Sequence, residues 1–182
     1  MARIQDIRRE TLNPRQQALY DDMTRRRPRP SLSGPFAIWM HIPDIAESTN
    51  ALTNYLRSSA KLDQRLMELI ILLMCRDGNV KYAWSVHEPL ARAAGLAPET
   101  IDAIAARKRP DFKHDDEALI YDIVTELQAT KTLSASTFDR AQAELGRERL
   151  IEAVTCAGFY AMVGFALNAF DIAPQPGRPV LT

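Results

Sequence analysis

Apolar residues recur at helical spacing along most of the chain, and patterns typical of strands are almost absent. No alternating apolar run of five or more residues occurs between turns, and the pair Asp77-Gly78 follows a helical pattern instead of forming a hairpin. Prolines and capping residues mark the helix starts. The pattern predicts about eight helices, over residues 14–26, 43–56, 63–76, 80–94, 98–106, 115–129, 134–145 and 147–170.

The spacing of prolines suggests a connector and a tail within one all-α domain. A chain of 182 residues suits a single domain over residues 1–182. Three prolines oppose a regular helix in residues 27–36, so we expect an extended Pro/Arg-rich connector there. Residues 174–182 hold three more prolines and a glycine, and this tail is predicted either to wrap a surface or to be loose.

Two of the predicted helices are apolar on nearly every face, at residues 66–75 and 150–156. Such helices lie at the centre of a bundle or at an oligomer contact, so we expect a homo-oligomer. Residues 65–69 also match residues 149–153, which indicates an internal duplication unless two apolar helices match by chance.

Residues 153–170 carry no charge and approach the length of a membrane span. Glu152 and Asp171 bound this run closely, and glycine, threonine and asparagine dilute it. We therefore expect a buried helix of a protein that does not enter a membrane. The polar start of the chain and the absence of a signal-peptide pattern add the expectation of a cytoplasmic location.

Composition and charge exclude several classes of function. Lys and Arg total 23 and Asp and Glu total 23, so the net charge is zero and no basic excess favours binding to nucleic acid. The two cysteines, Cys75 and Cys156, supply neither a disulfide framework nor a zinc site and are expected to be reduced thiols. No phosphate loop, dinucleotide fingerprint or metal-ligand spacing occurs, so no metal or other cofactor is predicted.

Glu68 is an acidic residue within an otherwise apolar helix. It is the only charged residue between Arg65 and Arg76. Because burial disfavours the charged form of a carboxyl, such a residue needs a partner or becomes protonated. Glu68 is therefore a candidate general acid or base, and a pair with Arg65 at the helix edge is the alternative.

His87 lies in an aromatic-rich helical turn after Tyr82 and Trp84. Imidazole transfers protons readily near neutral pH, which makes His87 the second candidate, with ordinary packing as the alternative. His41 is a further candidate with the same alternative. Cys75 lies two turns after Glu68 on the same face, although a cysteine in an apolar helix is usually inert.

Glu68 and His87, nineteen positions apart on successive helices and followed by the Ala-Arg-Ala-Ala-Gly-Leu run at 91–96, resemble the carboxymuconolactone decarboxylase family. That family includes the alkylhydroperoxidase D-like proteins. Further blocks similar to its N-terminal and central regions lie at residues 34–36, 39–43 and 62–69. The resemblance is close over residues 12–106 and looser in the C-terminal helices.

The resemblance implies an alkylhydroperoxidase D-like helical bundle, proton chemistry without a cofactor, and assembly into trimers or hexamers. In the peroxidase branch of the family, a Cys-x-x-Cys pair lies between the glutamate and the histidine, which relay protons to the thiols. Glu68 and His87 match the relay positions, whereas Val80 and Ala83 stand at the two thiol positions. Because peroxide reduction needs a thiolate, the resemblance points to a branch without peroxidase chemistry.

The remaining residues predict a lyase that acts by acid/base chemistry on a small unsaturated carboxylic acid or lactone. Loss of carbon dioxide would leave a dienolate, to which His87 delivers a proton while Glu68 sets the imidazole tautomer. The predicted substrate-binding residues are Trp84, Trp39, His41, Tyr82, Arg76 and Arg92, and one of the two arginines is expected to meet the substrate carboxylate. The alternatives are an antioxidant peroxidase, disfavoured by the missing thiols, and a ligand-binding oligomer without enzymatic activity.

Overall fold

The computed structural model describes residues 2–5, 7–25 and 32–181. Within these ranges the chain forms one short 3-10 helix, Arg9–Thr11, nine α-helices and no strand. The α-helices are α1 (Pro14–Arg25), α2 (Pro35–Trp39), α3 (Pro43–Ser58), α4 (Gln64–Asp77), α5 (Lys81–Ala93), α6 (Pro98–Ala105), α7 (Asp115–Thr130), α8 (Ala135–Glu144) and α9 (Gly146–Ala169). The predicted all-α fold class is confirmed.

Local sequence sets the ends of most helices. The carboxylate of Asp63 accepts a hydrogen bond from the backbone N–H of Arg65 at the start of α4. The Ser134 hydroxyl accepts one from the backbone N–H of Thr137 at the start of α8. Prolines open α1, α3 and α6, where the missing N–H costs no hydrogen bond. All eight predicted helices are present, with ends close to those predicted.

The short helix α2 is the one that the sequence pattern did not predict. Pro35 begins this helix instead of preventing it, because proline suits the first helical position. The prediction of an extended connector over residues 27–36 is therefore wrong from Pro35 onward, and residues 26–31 lie outside the described part of the chain. Gly34 precedes the helix at φ 63°, and a Cβ atom there would lie 2.4 Å from Cε1 of Tyr82. Glycine at this position allows α2 to approach α5.

Helix α4 lies at the centre of the bundle, packed against α5, α7 and α9. Its buried residues include Leu69, Ile70 and Leu72, which are fully enclosed. The buried side chains of the nine described helices form one continuous hydrophobic core.

Helix α9 is the one described helix whose length and composition would allow it to cross a membrane. Half of its most apolar stretch is buried inside the bundle. The core helix of a soluble protein can have the same length and composition, so these two features are weak evidence for a membrane span. Its outer face exposes Ile151, Met162 and Phe165, and the Phe165 side chain is 77% exposed.

The segment after α9 folds back over α5. The backbone N–H of Gln175 donates to the Ser85 hydroxyl at 3.4 Å, and Nε2 of Gln175 donates to the Tyr82 hydroxyl at 3.3 Å. Leu181 is almost completely buried. The tail therefore wraps a surface over its described residues, which is the first of the two arrangements predicted for 174–182.

The two glutamates matched by the suggested duplication have different partners. The Glu152 carboxylate accepts a hydrogen bond from the Tyr55 hydroxyl at 2.6 Å. It also accepts from the backbone N–H groups of Lys61 and Leu62, at 3.0 and 2.8 Å, and so stabilises the connection between α3 and α4. Glu68 faces α5 instead and pairs with His87. The duplication itself stays a prediction.

Candidate active site

A cavity of about 290 Å³ lies between α3, α5, α9 and the C-terminal segment. Apolar side chains form most of its wall, among them Phe36, Val86, Leu90, Phe159, Val163 and Leu167. Its polar lining consists of Ser33, Thr53, Arg57, Tyr82, His87, Tyr160, Gln175 and Arg178. An apolar cavity with a few convergent polar groups is typical of a small-molecule site.

Glu68 and His87 are in direct contact at the base of this site. Nδ1 of His87 on α5 lies 2.8 Å from Oε2 of Glu68 on α4, and both side chains are buried. Arg65, the alternative partner that the sequence offered for Glu68, instead pairs with Asp116 at 2.8 Å and with Glu117. Glu68 therefore pairs with His87 and not with Arg65, and this contact is the one that a proton relay between the two residues requires.

Tyr160 is the third member of this group. Its hydroxyl lies 3.1 Å from Nε2 of His87, and the two rings meet edge to face with centroids 5.2 Å apart. If Glu68 is ionised, its carboxylate can only accept, so Nδ1 of His87 carries the proton of this contact. In a neutral ring Nε2 then accepts from the Tyr160 hydroxyl. Burial raises the pKa of Tyr160 well above its ordinary value, so the hydroxyl keeps its proton.

The sequence interpretation did not identify Tyr160. The residue stands in the uncharged run of α9, where the surrounding residues are apolar. A tyrosine in such a helix carries a hydroxyl that needs a hydrogen-bond partner, and this was the available signal. The partner itself, His87, is 73 positions away in the chain.

Among the predicted substrate-binding residues, Tyr82 lines the cavity, and its hydroxyl bonds to the Ser33 hydroxyl at 2.9 Å. Trp84 and Trp39 are buried in the core and do not line the cavity. Trp39 supports the wall from behind, since its ring lies 6.0 Å from that of Phe159. His41 is exposed and also lies away from the cavity.

The two arginines predicted to meet a substrate carboxylate lie elsewhere. Arg76 lines a separate cavity of about 140 Å³ beside α7. Arg92 pairs with Glu88, one helical turn earlier, at 2.5 Å. Among the residues that the structure describes, the cations that line the main cavity are Arg57 from α3 and Arg178 from the C-terminal segment, neither of which the sequence pattern indicated.

No reactive thiol reaches this site. Ala83 lines the cavity at one of the two positions where the peroxidase pattern has cysteine, and Val80 is buried at the other. Cys75 and Cys156 are both buried free thiols. Burial, reinforced by the negative charge of Glu68, raises the pKa of both thiols, which opposes formation of a thiolate. The described residues also contain no cluster of His, Cys, Asp and Glu that would hold a metal ion.

Comparisons with known proteins agree with this architecture. Residues 43–113, which contain Glu68 and His87, match the model of the Carboxymuconolactone decarboxylase family. An uncharacterized peroxidase-related protein from Silicibacter sp. TM1040 has a similar structure, with a TM-score of 0.76 and 10% identity over 96% of this chain and 92% of that chain. A protein of unknown function from Agrobacterium tumefaciens, a candidate antioxidant defence protein AhpD, gives a TM-score of 0.65 and 20% identity over 79% of this chain and 99% of that chain. No curated protein matches the sequence.

At these low identities the structural likeness shows the fold alone. The predicted alkylhydroperoxidase D-like helical bundle is confirmed by it.

Proposed function

We propose that this chain, whose residues 43–113 match the model of the carboxymuconolactone decarboxylase family, is a member of that family and a lyase that decarboxylates a small unsaturated carboxylic acid or lactone. One observation carries the proposal: His87 is held between Glu68 and Tyr160 at the wall of an apolar cavity. This is an arrangement for moving a proton, and it contains no nucleophile.

The reaction begins with cleavage of the bond between the substrate carbon and its carboxylate. Carbon dioxide leaves, and the electron pair passes into the conjugated carbonyl to give a dienolate. An apolar cavity favours this step because the localised carboxylate charge becomes dispersed. When His87 is doubly protonated, the Tyr160 O–H no longer donates to Nε2 and can meet the developing negative charge.

Proton transfer to carbon then completes the reaction. When His87 carries a second proton, Nε2–H donates to the Tyr160 oxygen, and the Tyr160 O–H is free to point into the cavity. Tyr160 gives its proton to the dienolate carbon and regains one from Nε2 of His87, while Glu68 stabilises the positive charge on the ring before transfer. Water later restores the proton to the imidazole.

Thiol peroxidase chemistry fits this chain less well. The positions that would hold the reactive pair are Val80 and Ala83, and the two cysteines present are buried with raised pKa values. A peroxidase would need a thiolate in contact with the cavity.

The class of reaction can be tested with the purified full chain and two kinds of substrate. We expect release of carbon dioxide from 4-carboxymuconolactone or a related carboxy-lactone, and no consumption of cumene hydroperoxide in the presence of dithiothreitol. Lack of turnover of every carboxy-lactone, or rapid consumption of the hydroperoxide, would contradict the proposal. An enzyme should also show a break in its pH–rate profile, which a ligand-binding protein without activity would lack.

We also propose that the chain forms a homo-oligomer in the cytoplasm. The support for the oligomer is an exposed apolar stripe at helical spacing on the outer face of α9, formed by Ile151, Val154, Met162 and Phe165. Phe165→Asp should reduce the mass measured by light scattering, whereas Phe138→Asp on α8, another exposed phenylalanine, should not. An unchanged mass for Phe165→Asp, or a monomeric wild type, would contradict the assembly through α9.

A further inference from the structure

Two arginines line the cavity without a partner of their own. Arg57 on α3 and Arg178 in the C-terminal segment make no ion pair or side-chain hydrogen bond with any residue that the structure describes. Within that same part of the chain, no Asp or Glu lines the cavity. Both arginines are exposed, so water screens their charge, but no described carboxylate compensates it at the cavity, which favours an anionic ligand.

Arg57 lies close enough to Tyr160 for its charge to act on the hydroxyl. Burial raises the pKa of Tyr160, and the positive charge of Arg57 opposes that rise. Arg57, Tyr160 and Thr53 also line a second, much smaller cavity that reaches Glu68. An anion bound by Arg57 would consequently lie beside the group that donates the proton.

Arg178 reaches the cavity because the C-terminal segment is fixed on both sides of it. Gln175 is bonded to Ser85 and Tyr82 on α5, and Leu181 is buried. Between these anchors the backbone N–H of Arg178 donates to the carbonyl of Gln175 at 3.3 Å, with Gly177 at φ 71° in the turn. Residues 174–181, which we call the C-terminal strap, therefore place Arg178 at the cavity.

We propose that Arg57 and Arg178 form the anion-binding end of this cavity and select unsaturated carboxylates over neutral molecules of the same shape. The inference rests on the proposed function only in taking the cavity as the substrate site. A guanidinium donates two parallel hydrogen bonds to a carboxylate, which gives both affinity and a fixed orientation. The C-terminal strap thereby becomes a determinant of specificity.

The experiment uses cinnamate and cinnamamide, which share an unsaturated aromatic body and differ in charge. Both are titrated into the full chain by calorimetry, and into Arg57→Gln and Arg178→Gln. Arg147→Gln serves as the matched control, because Arg147 is exposed at the start of α9 and does not line the cavity. Thermal unfolding followed by circular dichroism checks that each variant is folded.

We expect wild type to bind cinnamate about tenfold or more tightly than cinnamamide, from the strength of a hydrogen bond to a charged group. Each cavity variant should weaken cinnamate binding by about tenfold and change cinnamamide binding by less than about twofold, and Arg147→Gln should change neither. Equal affinity for the two probes, no binding of cinnamate, or unaltered cinnamate affinity in both cavity variants would overturn the inference.

These outcomes are separate from those that test the reaction. Charge-dependent binding of cinnamate without turnover of any carboxy-lactone would contradict the proposed function and leave the anion site standing. Turnover of a carboxy-lactone by variants that bind cinnamate as wild type does would contradict the anion site alone.

Discussion

The phenolic oxygen of Tyr160 lies 3.1 Å from Nε2 of His87, so that α9 completes a site whose other members come from α4 and α5. Glu68 and His87 fall within residues 43–113, which match the family model, and Tyr160 lies beyond that region. The proposed proton path therefore depends on a residue that the family-matched segment does not contain.

Replacing Tyr160 by phenylalanine removes the hydroxyl and keeps the ring. We expect kcat for a carboxy-lactone to fall about tenfold to a hundredfold, because the last donor in the proton path is lost. Steady-state release of carbon dioxide measures this effect. Tyr121→Phe, which removes a hydroxyl from a half-buried tyrosine on α7, is the control and should keep full activity. Equal rates for the two variants would remove Tyr160 from the mechanism.

Replacing Glu68 by glutamine keeps the shape of the side chain and removes its charge. The amide can no longer stabilise a charged imidazole or enforce a proton on Nδ1 of His87, so we expect kcat to fall about a hundredfold. KM should change much less, since Glu68 does not line the main cavity. The tautomer of His87 can be read from the nitrogen shifts of its ring. Wild-type kcat together with an unchanged tautomer in Glu68→Gln would show that the pair has only a structural role.

A cysteine at position 83 should supply the accessible thiol that the natural chain lacks. In the wild type, burial raises the pKa of Cys75 and Cys156, and we expect neither to react with dithionitrobenzoate under native conditions. Ala83→Cys places a thiol at the wall of the cavity, and although Ala83 is only 4% exposed, this thiol should react faster than either natural cysteine because the cavity gives access to it. Rapid reaction of the wild-type protein would instead assign a reactive role to Cys75 or Cys156.

Glu152→Gln should lower stability in a pH-dependent way. Burial alone would raise the pKa of Glu152, but hydrogen bonds from Tyr55, Lys61 and Leu62 outweigh it and hold this pKa below the ordinary value of 4.5. A carboxyl with a lowered pKa stabilises the folded state above its unfolded pKa, and this stabilisation disappears as the pH falls through the folded-state pKa.

We therefore expect Glu152→Gln to reduce the free energy of unfolding by about 1–3 kcal/mol near neutral pH, and by progressively less below pH 4.5. Urea denaturation over this pH range measures the difference. Glu148→Gln, which alters an exposed pair with Lys61, should have little effect at any pH. A loss of stability in Glu152→Gln that does not depend on pH would contradict this role.

The sequence predicted the helices and singled out Glu68 and His87 because each leaves a local signal, whereas the contact between these two residues is seen only in the structure. Capping residues and prolines mark helix ends, and a single charge in an apolar helix stands out. The helix α2 was not predicted because Pro35 was interpreted as preventing a helix, although proline is also common at the first position of one.

The cations of the cavity could not be found in the same way. Arg76 and Arg92 are close in sequence to Glu68 and His87, but they project from α4 and α5 away from the cavity, and Arg92 is held by Glu88. Arg178 comes from a tail whose path depends on long-range contacts with α5. Packing decides which faces of separate helices line one cavity, and the helical period alone does not specify those faces.

The measurement that tests the central claim most directly is the rate of carbon dioxide release from 4-carboxymuconolactone by wild type and by His87→Gln. If His87 supplies the proton, the variant should lose at least about a hundredfold in kcat while it stays folded. His41→Gln, at an exposed histidine outside the cavity, should retain the wild-type rate. A rate for His87→Gln within about twofold of wild type would contradict the account.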